Sequence, residues 1–103
     1  MKFEPQLLTT FRQHFVSDLD WLESDFFNTY RYLETQRTDA VTKRDLGRQG
    51  QVYTLLGMLE EFRKNMHYSM QYFQLANDIF QRTGDADGIS YTEYKMGRLV
   101  AGV

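Results

Sequence analysis

The chain has 103 residues, 42% hydrophobic and 25% charged, which sets one domain with a modest core and excludes global disorder. A net charge of −2 argues against a nucleic-acid partner, and the absence of cysteine removes disulfides, thiolate zinc sites and a cysteine nucleophile. No apolar run approaches the ~18 residues of a membrane span, and Met1–Pro5 lacks a signal peptide's apolar stretch, so a cytoplasmic protein without a membrane partner is expected.

Pro5 suits a first helical turn. From there apolar residues recur at Leu8, Phe11, Phe15, Leu19, Leu22, Phe26, Tyr30 and Leu33, always three or four apart. That period predicts one long helix over 5–36, with a possible break near Ser17 or Ser24. Trp21, Phe27 and Tyr32 lie off this stripe and widen its apolar surface. The polar stretch Gln36-Arg37-Thr38-Asp39 predicts a break, with Thr38 or Asp39 capping a second helix that runs to about Phe62. Gly47 and Gly50 weaken the start of that helix by ~1 kcal/mol each, which moves its expected start toward Gly50.

Asn65 offers a cap for a third helix carrying Met66, Ser69, Phe73, Ala76 and Phe80. Thr83-Gly84-Asp85 should end it, with Gly84 in the left-handed cap position. A last helix from about Ala86 carries Ile89, Met96, Leu99 and Val100. No segment alternates as a strand would. The expectation is an all-α single domain of about four helices, divided into 1–38 and a hairpin plus closing helix over 39–103.

Gly57 and Gly97 lie 40 residues apart, each after an apolar residue and each mid-helix. Two helix-weakening glycines at one period call for a packing reason, and close helix approach is the one expected. Tyr53, Leu56-Gly57, Ser69, Phe73, Ala76, Gly84-Asp85, Gly88 and Met96-Gly97 together resemble the tetratricopeptide repeat family in its 40-residue form. The match covers roughly residues 50 to 100. Glu60, Asn77 and Glu93 depart from the family pattern, and the N-terminal segment carries no clear copy. The resemblance implies antiparallel helical hairpins whose first helices line a groove for a protein or peptide segment. By position that groove would present Gln51, Thr54, Met58, Glu61, Phe62, Tyr91, Tyr94 and Arg98. Thr54 and Met58 stand where some members carry the groups that grip a terminal carboxylate, which disfavours that use.

Catalytic, metal-binding and cofactor-binding residues are not expected. His14 and His67 belong to no ligand pattern, and Asp85-Ala86-Asp87-Gly88 lacks the remaining ligands of a calcium loop. Asp18, Asp20, Glu23 and Asp25 around Trp21 suit a solvated face or a docking patch for a basic partner. Gly47-Arg48-Gln49-Gly50 lacks the ending of a phosphate loop, and Arg37, Lys43, Arg44 and Arg48 are a weak basic cluster.

The expected function is a non-enzymatic interaction module: an adaptor, chaperone or regulatory subunit holding another protein or peptide. One alternative is a homo-oligomeric structural protein; another is a peptide-sensing regulator, for which no DNA-binding segment is visible. The N-terminal stripe is too large for the later, shorter helices to cover, so a dimer is expected. Its interface would use Leu8, Phe15, Leu19, Trp21, Leu22, Phe26, Leu99 and Val100.

Overall fold

The computed structural model describes the backbone of residues 19–102 and the side chains of residues 27–102. Four helices follow one another: α1 (Leu19–Thr42), α2 (Leu46–Phe62), α3 (Met66–Thr83) and α4 (Ala86–Ala101). The fold is all-α, and there is no strand among the described residues. Each helix packs on its neighbour in sequence, and α2 and α3 share the most extensive contact. None of the described helices is long and apolar enough to cross a membrane. Leu8 and Phe15 lie outside the described residues, as do the side chains of Leu19, Trp21, Leu22 and Phe26.

The expected break at Gln36–Asp39 is corrected, because α1 runs unbroken to Thr42. The polar residues there satisfy one another on the helix surface. Arg37 pairs with Glu34 at 2.8 Å, and this bond holds the guanidinium more basic than usual. The hydroxyls of Thr35 and Thr38 donate to the carbonyls of Arg31 and Glu34, four residues back. Leu33 and Ala40, 1% and 0% exposed, anchor the helix from beneath. The second helix accordingly starts at Leu46, where the Asp45 carboxylate caps it by accepting from the Arg48 N–H at 3.0 Å.

All three connections are the same turn, spaced twenty residues apart. The N–H of Asp45, Asn65 and Asp85 returns to the carbonyl of Ala40, Glu60 and Phe80, at 2.9, 2.8 and 3.0 Å. The N–H of Arg44, Lys64 and Gly84 bonds the carbonyl of Val41, Glu61 and Gln81. These two bonds satisfy carbonyls that a helix end leaves open, and they force a left-handed residue between them. Arg44, Lys64 and Gly84 hold that place, with φ of 55°, 63° and 72°. Gly84 thus sits where the sequence put it, while Arg44 and Lys64 adopt the same strained form without a glycine.

α2 is the centre of the core. Its Val52, Leu55, Leu56 and Leu59 are fully buried and close around Leu33 of α1, with Tyr30, Tyr53, Met58 and Tyr72 at the edges. Each such side chain contributes about 1.5–3 kcal/mol by leaving water. On the other side, Phe73, Ala76, Phe80 and Leu99 continue the core toward α4.

Candidate interaction surface

Two notches in α2 set how the helices meet. Gly50 and Gly57 are seven residues apart on α2, as are Phe73 and Phe80 on α3. A Cβ on Gly57 would lie 2.8 Å from the Phe73 ring, and one on Gly50 would lie 2.6 Å from the Phe80 ring. The pairs run in opposite chain order, so α2 and α3 are antiparallel. Ser69 reinforces the crossing by donating its hydroxyl to the Gly57 carbonyl at 2.7 Å. The close approach expected at Gly57 is therefore present.

Phe80 also reaches the next helix, since a Cβ on Gly88 would come within 2.5 Å of its ring. One aromatic ring is thus clasped between glycines of α2 and α4. That clasp brings α2 and α4 side by side, and two polar contacts tie them. Lys95, only 8% exposed, meets the Glu61 carboxylate at 2.7 Å. The Tyr91 hydroxyl donates to the Met58 sulfur at 3.6 Å. Behind them, the Asn77 amide of α3 donates to Thr92 of α4 at 2.9 Å.

The groove residues expected from the sequence divide three ways. Gln51, Met58, Glu61 and Tyr91 are half-buried along the α2–α4 seam. Phe62 and Tyr94 stand 46% and 59% exposed, and the Arg98 guanidinium lies 5.9 Å over the Tyr94 ring. Thr54 is a correction: it is 0% exposed, its hydroxyl bonded to the Gly50 carbonyl at 2.8 Å, and no partner can touch it. Among the expected oligomer contacts, Leu99 is likewise corrected, because at 6% exposure it belongs to this chain's own core. Val100 is 67% exposed. Gly97 corrects the second half of the glycine argument, since nothing lies within 4 Å of where its Cβ would stand.

A tyrosine cluster lies where α1, α2 and α3 meet. Tyr53 and Tyr72 stack with centroids 6.2 Å apart. Burial, then a hydrogen bond with Tyr30, pushes the Tyr72 phenol well above its usual value. Glu60 stands nearby, 7% exposed, with Oε1 accepting no hydrogen bond and the Arg63 guanidinium at 3.7 Å. Three of the four basic residues noted in sequence are engaged within the chain: Arg37 with Glu34, Lys43 with Asp39 at 3.2 Å, and Arg48 with Gln36.

The clasp itself was missed in sequence, where Gly50 read as a weakness of the helix. The signal was available as a five-residue echo, Gly50-Gln51-Val52-Tyr53-Thr54 and Gly88-Ile89-Ser90-Tyr91-Thr92. In both copies the threonine is fully buried and its hydroxyl donates to the glycine carbonyl at 2.8 Å. Compared with known proteins, the chain matches no protein-family model, no curated protein and no solved structure.

Proposed function

We propose that the chain is a non-enzymatic interaction module of the tetratricopeptide type, which holds a protein or peptide segment along the α2–α4 seam. The observation that carries this reading is the seam itself. The Lys95–Glu61 and Tyr91–Met58 bridges fix the two helices relative to each other, and Phe62, Tyr94 and Arg98 project beside them. Aromatic and Arg side chains on a rigid frame are the groups that carry most interface energy, because they bury large area with little loss of freedom. An adaptor, chaperone or regulatory subunit would use such a face, and the expected compartment is the cytoplasm.

The test compares the tagged native chain with the Phe62→Ala/Arg98→Ala double variant in pull-downs from the native host, followed by titration of any protein retained. Truncating two such anchors should weaken a true partner by about tenfold or more. Equal affinity for both chains would sink the reading.

A further inference from the structure

The identical turns at Arg44 and Gly84 put α2 and α4 in a common register, forty residues apart. In that register Gly50, Thr54, Gly57 and Glu60 of α2 correspond to Ser90, Tyr94, Gly97 and Val100 of α4. The α2 residues are all buried, with α3 seated on Gly50 and Gly57 through Phe80 and Phe73. Their α4 counterparts are all exposed, Tyr94 to 59% and Val100 to 67%. Gly57 holds a ring in its notch, while the same notch at Gly97 is open. The stripe is thus the continuation, one period on, of the α2–α3 interface, and it lacks the element corresponding to α3.

We propose that the Ser90–Gly97–Val100 stripe of α4 is a second docking surface, separate from the α2–α4 seam, for an amphipathic helix of another polypeptide. The occupant's chemistry is read from α3. It runs antiparallel to α4 and carries a small residue and, four positions later, an aromatic ring, as Ser69 and Phe73 do. The ring seats on Gly97 and the small residue lets the backbones approach, as at Gly57. A second copy of this chain is not the occupant, because its own pair is spent: Ser69 and Phe73 are both 0% exposed. The corresponding pair on α1 is Thr29 and Leu33, and Leu33 is 1% exposed.

The experiment titrates the full chain into a fluorescein-labelled peptide of residues 66–83, the helix that fills the equivalent notch on α2, and reads anisotropy. Saturable binding is expected, weakened about tenfold by Gly97→Leu, which fills the notch with bulk. Val100→Asp should weaken it as well, as should Phe73→Ala in the peptide. Phe62→Ala and Arg98→Ala in the chain should leave it unchanged, which separates this surface from the seam. Gly97 and Val100 touch little in the fold, so both variants should keep native helicity by circular dichroism. Absence of saturable binding would overturn the proposal, and so would equal binding by the native, Gly97→Leu and Val100→Asp chains. Sedimentation equilibrium adds one further outcome: a native dimer that both variants return to monomer would make the occupant a second copy and also overturn it.

Discussion

Gly57 in α2 lies under the Phe73 ring, whereas Gly97, forty residues later in α4, faces open space. The turns leading into the two helices show the reverse relation. Arg44 and Gly84 differ as residues yet hold the same left-handed conformation and the same pair of backbone hydrogen bonds. Turn geometry is dictated by helix ends that must satisfy their carbonyls, and a side chain can be carried through at modest strain. The role of a mid-helix glycine is dictated by what lies opposite it. Identity of residue and period therefore says less about a glycine than its neighbour does.

The sharpest way to break this comparison is to remove the side chain that serves both helices. Phe80 is fully buried, with Gly50 of α2 against one part of its ring and Gly88 of α4 against another. Phe80→Ala should destabilise the fold by about 3–5 kcal/mol, since the cavity opens between two helices at once. Chemical denaturation would measure it. A loss below about 1 kcal/mol would mean that the glycine clasp does not organise α2 and α4.

Next in size is the pair Gly57→Leu and Gly97→Leu. The first drives a side chain into Phe73 and should lower stability by ~1–3 kcal/mol or more. The second meets nothing and replaces the poorest ordinary helix former with a good one, so stability should rise by up to ~1 kcal/mol. Thermal melts of the two variants side by side decide it, and equal shifts would erase the distinction drawn between the helices.

How far this was legible beforehand follows from the same residues. Steps of three and four from Leu46 to Phe80 sufficed for the helices, and Gly57 opposite Phe73 was readable as a close crossing. The end of α1 was not, because Gln36–Asp39 looks like a loop when the Glu34–Arg37 pairing and the threonine back-bonds are not visible. The pairs Arg44-Asp45, Lys64-Asn65 and Gly84-Asp85, at twenty-residue spacing, carried the correct boundary. Two of those pairs lack the glycine that marks such a turn. Among the candidate surface residues, Phe62, Tyr94 and Arg98 are exposed beside the seam, but Thr54 is closed off. Sequence spacing could not distinguish the side of α2 that faces α3 from the side left open.

The smallest expected effect concerns those turns. A side chain held at positive φ costs ~1–2 kcal/mol in the left-handed region, and a glycine relieves it while giving back ~0.5–1 kcal/mol in chain entropy. Arg44→Gly and Lys64→Gly should each stabilise the fold by roughly 0.5–1 kcal/mol, the difference between those two terms. Gly84→Ala should destabilise it by a similar amount, since its φ is 72° and the alanine inherits the strain. Lys64 is exposed and contributes no printed side-chain bond to the turn, so its substitution isolates the backbone term most cleanly. Denaturant midpoints at constant slope would show the three changes. If Lys64→Gly lowered the midpoint while Gly84→Ala left it unmoved, the turns would owe their form to side chains, and the shared register of α2 and α4 would lose its backbone origin.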